Sequence, residues 1–193
     1  MTHEVAPALI GDVRLFVRVS ATHTDHFATD VTDGLPPGLT GVVVPKLESI
    51  AAVDAASAAL DAAGHPDLPI VAGLETVAGV VDARTVTTHP RVQWCYFGAE
   101  DYVADLGGVR TAANHEVATA RAQVAQAARL GGIQAIDMVV IDFGDDERFQ
   151  REATEAAQSY LSLDPLSKDE KQQVKDLIGG FRFDSPFGKG LRR

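Results

Sequence analysis

Short apolar runs alternate with segments of helical periodicity along this chain, and this alternation limits the folds that it can adopt. Five runs have the β-branched and aromatic content of strands, and the segments between them have helix caps and one apolar face. Such an alternation implies a parallel sheet with helical crossovers, but it does not distinguish an open sheet from a closed barrel. We therefore predict an α/β fold with about five parallel strands, at residues 14–19, 41–46, 69–75, 92–97 and 135–142.

An acidic residue follows each of two neighbouring runs. Glu75 comes at the end of the third run, and Asp101 follows the fourth. The carboxyl ends of parallel strands meet at one edge of the sheet, which forms the mouth of a β/α barrel. Two carboxylates there could share one hard cation such as Mg²⁺, which takes oxygen ligands and keeps positions open for a substrate. Glu75 and Asp101 are therefore candidate metal ligands.

Residues that typically begin or end helices predict the bounds of the first helices. Ser49 is expected to cap a helix that Gly64 ends, and another helix is predicted over about residues 77–87. Residues 101–113 contain two consecutive glycines and are predicted to be a long loop.

Later helices are predicted in the same way. Asn114 is expected to cap a helix whose inner face contains Val117, Val124 and Ala128. A further helix should begin at Asp145 or Asp146 and reach about Tyr160. Ser167 and Glu170 have the spacing of a capping box for a last helix.

Composition and charge exclude several classes of function. The net charge of −10, from 27 acids and 17 bases, disfavours nucleic acid or an anionic membrane as partner. The single cysteine, Cys95, excludes an intramolecular disulfide and lies in an apolar run, which predicts a buried, inert thiol. No glycine-rich phosphate loop follows a strand. No signal peptide or apolar run of about 18 residues is visible, so a cytoplasmic location is expected.

Four sequence blocks resemble motifs of a known family. Residues 41–49 resemble P-K-x-E-S, 73–79 resemble E-T-x-x-G, 97–108 resemble G-A-E-D-x-x-x-D-L-G-G, and 134–137 resemble Q-A-I-D. In this order they are similar to the HpcH/HpaI aldolase and citrate lyase β-subunit family, which includes malyl-CoA and citramalyl-CoA lyases. The resemblance covers about residues 12–158. It implies a TIM (β/α)8-barrel, Mg²⁺ as cofactor, and carbon–carbon bond cleavage or formation in short carboxylic acids, often as CoA thioesters.

The resemblance also assigns roles to residues. Glu75 and Asp101 correspond to the metal ligands, and Arg18 corresponds to an arginine that binds the substrate's carboxylate or keto group. Arg18 and Glu75 are thus the expected substrate-binding residues, although a structural ion pair remains an alternative for Arg18. Asp184, in a sequence similar to V-D-x-P, is a candidate catalytic acid supplied to a neighbouring subunit.

The sequence predicts less specific roles for three other polar residues. Glu100, the neighbour of Asp101, could hydrogen-bond to the residues that bind the metal without contacting the metal itself. Lys46 could contact substrate or CoA, with surface or helix-cap packing as the alternative. Asp137 is expected to form a structural ion pair with Arg121 or Arg129.

The sequence departs from the family pattern at both ends. The family's first two strand motifs and its eighth-strand motif are not recognisable, so we expect an incomplete barrel over residues 1–160. Residues 161–193 are expected to form a helix and tail that could be exchanged with a neighbouring subunit. Open sheet edges predict association, as a trimer or hexamer if the resemblance holds. The predicted function is a Mg²⁺-dependent carbon–carbon lyase acting on a 2-keto or 2-hydroxy acid, with CoA use left open. The alternative is a non-catalytic homologue or partner subunit.

Overall fold

The computed structural model describes residues 14–139 together with residues 144, 145, 147, 148, 150–152 and 154. The chain divides into two compact units, Met1–Val139 and Val140–Arg193. The predicted boundary between residues 160 and 161 lies outside the described residues, as do Asp184 and the predicted capping box at Ser167.

The first unit contains one parallel sheet of five strands in the order β1-β2-β3-β4-β5. Every hydrogen-bonded pair of strands is parallel. Among the described residues β1 and β5 are not paired with each other, so the sheet is open and the α/β prediction with five strands is confirmed. Its elements are β1 (Phe16–Arg18), α1 (His26–Asp33), β2 (Gly41–Val44), α2 (Ile50–Ala62), β3 (Ile70–Leu74), α3 (Val77–Val81), α4 (Ala83–Val86), β4 (Val92–Phe97), α5 (Ala99–Leu106), α6 (Ala118–Gly131) and β5 (Gln134–Ile136).

The helices cover one face of the sheet and form the core with it. Buried side chains of β2, β3 and β4 contribute to this core, and all five residues of β3 are buried, so the middle strand is covered on both faces. The largest of them is Phe97, and α2 and α6 contribute Leu60 and Val124. As predicted, Ser49 caps α2 by accepting a hydrogen bond from the Ala52 amide at 3.2 Å.

The other face of the sheet is concave. Phe16 on β1 and Trp94 on β4 stack edge to face with ring centroids 5.3 Å apart, although β2 and β3 lie between their strands. Neighbouring strands are about 4.8 Å apart, so a flat sheet would separate β1 from β4 by about 14 Å. The sheet must therefore curve as the wall of a barrel does.

The predicted loop over residues 101–113 is wrong, because α5 occupies Ala99–Leu106. Two acids, Glu100 and Asp101, lie in its first turn, where the helix dipole favours negative charge. Gly107 ends the helix in the left-handed conformation with φ 75°. The glycine pair thus marks the end of a helix and the start of a shorter loop.

Two other helix predictions need correction. The predicted helix over 77–87 is two short helices, α3 and α4, because Asp82 leaves helical geometry with φ −91° and ψ 6°. Asn114 does not cap α6, which begins at Ala118. Asn114 instead has φ 54° in the turn before the helix, and its buried Oδ1 has no hydrogen-bond partner among the described residues. The predicted inner face is confirmed, since Val117, Val124 and Ala128 are buried.

The fifth strand is shorter than predicted where the structure describes it. β5 ends at Ile136, and the described residues 137–139 are not strand. Asp137 turns back to α6, where its Oδ1 accepts a hydrogen bond from Arg121 Nε at 2.8 Å. The predicted structural ion pair of Asp137 is confirmed.

In the second unit, the described residues from 147 onward are helical. Asp145 Oδ1 accepts a hydrogen bond from the Arg148 amide at 2.8 Å, as a helix cap does. Arg148 Nε also lies 2.7 Å from Glu152 Oε1 one turn later. No helix in the described parts of the chain combines the length and apolarity needed to cross a bilayer.

Candidate functional site

Glu75 is the first residue after β3 and is almost completely buried, with 3% of its surface exposed. Its Oε1 accepts a hydrogen bond from the Lys46 amide at 3.1 Å. Its Oε2 accepts one from the Tyr96 hydroxyl at 3.0 Å. Each carboxylate oxygen has a second lone pair, so both could still bind a cation.

Two glycines make room for this arrangement. A Cβ at Gly98 would lie 2.4 Å from Glu75 Cβ and 2.6 Å from Glu75 Oε2. A Cβ at Gly73 would lie 2.6 Å from the Tyr96 hydroxyl oxygen. A larger residue at Gly98 would have to displace Glu75 itself, and one at Gly73 would displace the Tyr96 hydroxyl that holds the carboxylate.

Asp101 lies in the first turn of α5, directly after β4, and its side chain is half exposed. Its Oδ1 is 3.1 Å from Lys46 Nζ. Lys46 therefore contacts both acids, through its amide to Glu75 and through its ammonium to Asp101. The structure brings Glu75 and Asp101 together at the carboxyl ends of β3 and β4. Their role as metal ligands stays a prediction.

Lys46 has an unusual backbone conformation. Its φ of 53° is in the left-handed region, which a residue with a Cβ rarely adopts. A conformation of this kind costs of order 1–3 kcal/mol and persists where the surrounding structure enforces it, often at functional sites. Two residues after β2, this φ sets the direction of the Lys46 side chain relative to its amide, which donates to Glu75.

Arg18 ends β1 and is exposed. It forms no ion pair with any residue that the structure describes, so nothing there supports its reading as a structural ion-pair residue. Together with Lys46 it lines a cleft of about 560 Å³, whose other polar side chains include Ser20, His23 and Asp30. Asp30 closes one wall by accepting a hydrogen bond from the Ser20 amide at 2.8 Å.

Tyr96 is a site residue that the sequence analysis missed. Burial raises its pKa well above the usual value, and the negative charge of Glu75 and the hydrogen bond to it raise the pKa further. The hydroxyl therefore stays protonated and remains a donor to Glu75. Its signal in the sequence is the two-residue alternation in β4, which places Trp94 and Tyr96 on the same face of the sheet.

Residues around Asp101 hold α5 in place. Glu100 does not point to Glu75; its Oε1 accepts a hydrogen bond from Arg110 Nε at 2.9 Å. Asp105, also missed by the sequence analysis, accepts a hydrogen bond from the Val77 amide at 2.8 Å. This bond ties the last turn of α5 to the start of α3, two residues after Glu75.

The carboxylates of Glu75 and Asp101, at the carboxyl ends of β3 and β4, suit a hard divalent cation. No three His, Cys, Asp or Glu side chains in the described parts of the chain form a metal-binding group. Mg²⁺, however, is commonly held by one or two carboxylates and completes its coordination with water or substrate oxygens. The ammonium of Lys46 on Asp101 shows that the edge accommodates a positive charge beside an acid.

The fold and the site define a class of protein. It has a curved, parallel α/β sheet in which two acidic residues follow neighbouring strands and lie beside a cleft. The sequence pattern of the HpcH/HpaI aldolase/citrate lyase family matches residues 4–164. The chain belongs to this family.

Individual relatives agree with that assignment. The "Citrate lyase subunit beta-like protein" of Deinococcus radiodurans is 48% identical over 156 residues, which are 79% of this chain and 54% of the relative. The "Citramalyl-CoA lyase, mitochondrial" of Mus musculus is 33% identical over 141 residues, 61% of this chain and 42% of the relative. The chain thus spans about half the length of these relatives.

Solved structures show the same fold. The citrate lyase beta subunit of M. tuberculosis, complexed with oxaloacetate and magnesium, has a TM-score of 0.64 and 31% identity. The match covers 76% of this chain and 66% of that one. Another structure of the protein CitE of M. tuberculosis, with magnesium, acetoacetate and coenzyme A, has a TM-score of 0.65 and 25% identity over 85% and 66% of the two chains.

Proposed function

We propose that the protein is a Mg²⁺-dependent carbon–carbon lyase that acts on a short 2-keto or 2-hydroxy carboxylic acid carried as a CoA thioester. The observation that carries this proposal is the pair of acids at the ends of neighbouring strands, Glu75 and Asp101, which share Lys46 as a partner. The M. tuberculosis structures, whose ligands include magnesium, oxaloacetate, acetoacetate and coenzyme A, support the choice of cofactor and substrate class.

Glu75 and Asp101 would hold the Mg²⁺, whose contribution when bound is to polarise a substrate carbonyl as a Lewis acid. Glu75 is kept in one orientation by Tyr96 and by the Lys46 amide. Burial of Glu75 keeps water away from it, which strengthens its attraction for a cation.

Arg18 would bind the substrate's carboxylate, because its fork of N–H donors matches two oxygens at once. Its position in the cleft beside Lys46 supports this role. Asp184 would handle the proton of the enol form, a role proposed from the family resemblance, since this residue lies outside the described part of the chain.

The test is an assay of carbon–carbon bond cleavage with purified full-length protein, citramalyl-CoA or malyl-CoA as substrate, and Mg²⁺ added or chelated. Activity should require Mg²⁺. Glu75→Gln and Asp101→Asn should each lower kcat/KM by more than about 100-fold, the upper range for residues that merely support a metal ligand. Asp82→Asn is the matched control, because it removes one negative charge from an exposed helix end whose side chain makes no cap hydrogen bond.

A Glu75→Gln protein with full, Mg²⁺-dependent activity would refute the metal assignment. A wild-type protein with no cleavage activity and no affinity for Mg²⁺ would favour the second candidate function, a non-catalytic partner subunit. One observation supports that candidate: β1 and β5 are edge strands of the described sheet, and Ile136 on β5 is 53% exposed.

A further inference from the structure

We propose that Lys46 is a built-in counter-cation that competes with the divalent metal for Asp101 and thereby lowers the affinity of the site for Mg²⁺. The inference rests on the proposed function, because it takes Glu75 and Asp101 as the metal ligands. It assigns to Lys46 a role in tuning metal binding, in place of the contact with substrate or CoA that the sequence suggested.

The geometry of Lys46 restricts where its ammonium can go. The amide of Lys46 is fixed on Glu75 Oε1 at 3.1 Å, and the left-handed φ of 53° sets the direction of the side chain. From this anchor, Nζ reaches Asp101 Oδ1 at 3.1 Å. A single residue therefore spans the two carboxylates that a metal would have to bridge.

A metal on Asp101 would meet this ammonium as a neighbour of like charge. Two positive charges on one carboxylate repel each other, so the metal binds only at the expense of the Lys46–Asp101 ion pair. The released ammonium can extend into solvent, because the side chain of Lys46 is partly exposed. The side chain of Lys46 is 37% exposed and that of Asp101 48%, so solvent screens the pair and the competition is modest.

The first test is calorimetric titration of the full chain with Mg²⁺. Lys46→Met keeps an unbranched stem and the same backbone demand but removes the charge. We expect it to bind Mg²⁺ about two- to fivefold more tightly than wild type, the range expected for loss of a part-exposed ion pair. Lys46→Arg should bind as wild type does. Arg84→Met, which removes a positive charge from the exposed face of α4, is the control and should also match wild type.

The second test separates competition from a structural role. Thermal unfolding is measured in EDTA and in saturating Mg²⁺. Without the ammonium the two acids repel, so Lys46→Met should be less stable than wild type in EDTA, and Mg²⁺ should raise its Tm by more than it raises that of wild type. Equal losses of Tm in the two conditions, or Mg²⁺ affinity in Lys46→Met equal to or weaker than that of wild type, would overturn the inference.

If Glu75→Gln abolishes Mg²⁺ binding while Lys46→Met leaves it unchanged, the metal site stands and only the counter-cation role is wrong. If Glu75→Gln binds Mg²⁺ as wild type does, the ligand assignment itself fails, and the inference about Lys46 fails with it.

Discussion

Gly98 determines how closely α5 can approach the carboxylate of Glu75. Because a Cβ at this position would lie 2.4 Å from Glu75 Cβ, Gly98→Ala must push either the helix or the acid aside. We expect the variant to lose about 1–3 kcal/mol of unfolding free energy, as overpacked sites do. Its Mg²⁺ affinity should fall at least about tenfold, as it does when a support of a metal ligand is disturbed. Urea denaturation and calorimetry measure the two effects.

Gly108→Ala is the matched control for this prediction. It makes the same substitution, but the nearest atom to the added Cβ is a methyl group of Val103 at 3.3 Å, which can move. Wild-type Mg²⁺ affinity in Gly98→Ala would show that the close approach of α5 does not fix the position of Glu75.

At the residue scale, the sequence indicated the acids better than the groups that hold them. Glu75 and Asp101 could be named because each follows an apolar run, and the ends of parallel strands meet. The double contact of Lys46 depends on a left-handed backbone conformation that its residue type does not favour. The contact of Tyr96 with Glu75 depends on the register of β3 and β4, in which Gly73 lies opposite Tyr96. Neither follows from spacing along the chain.

At the scale of elements, β4 can be probed through its buried thiol. Burial raises the pKa of Cys95 from 9.0 to about 12. The folded state therefore keeps the thiol protonated at pH values where the unfolded chain ionises, and this costs stability as the pH rises above 9. The unfolding free energy of wild type should fall by about 1 kcal/mol more than that of Cys95→Ala between pH 9 and pH 10.

Urea denaturation at these two pH values measures that difference, and the comparison with Cys95→Ala removes contributions from other titrating groups. Identical pH dependence in the two proteins would show that the thiol ionises equally well in the folded sheet. A native Cys95 that reacts with a thiol reagent as fast as the unfolded chain would contradict the burial directly.

Elements with clear end signals were predicted with the right bounds. β4 is an apolar run interrupted only by Gln93, and α2 has both its Ser49 cap and a glycine after its end. α5 was missed because its polar first turn and the following Gly107 suggested a loop, whereas both are helix-end signals. The division between α3 and α4 is not visible in the valine pattern, because buried valines lie on both sides of Asp82, Val80 in α3 and Val86 in α4.

At the scale of the whole molecule, the edges of the sheet predict association. β1 and β5 each have one hydrogen-bonded neighbour in the described sheet, and an unpaired strand edge is a template for pairing with another chain. Sedimentation equilibrium should give a mass that is a multiple of the 20.4 kDa chain. Ile136→Lys should weaken this association, because it places a charge on the β5 edge.

Val81→Lys is the control for the association experiment. Val81 is 72% exposed on α3, away from either edge strand, so a charge there should leave the mass unchanged. A single species of 20.4 kDa for wild type at the highest soluble concentration would contradict pairing through the edges.

The parallel order of the sheet could be predicted from the alternation of its elements. Its curvature could not, because the evidence for it is the contact of Phe16 with Trp94 across two intervening strands, which no local pattern in the sequence indicates.

That aromatic contact has an optical consequence. Trp94 is the single tryptophan of the chain, so all indole fluorescence comes from the concave face. Its Nε1 donates to Gln134 on β5 at 3.0 Å, and it precedes by two residues the tyrosine that holds Glu75. The emission maximum of Trp94 thus reports the polarity of the concave face of the sheet. A ligand that removes water from this face will shift the emission to shorter wavelength without any added label.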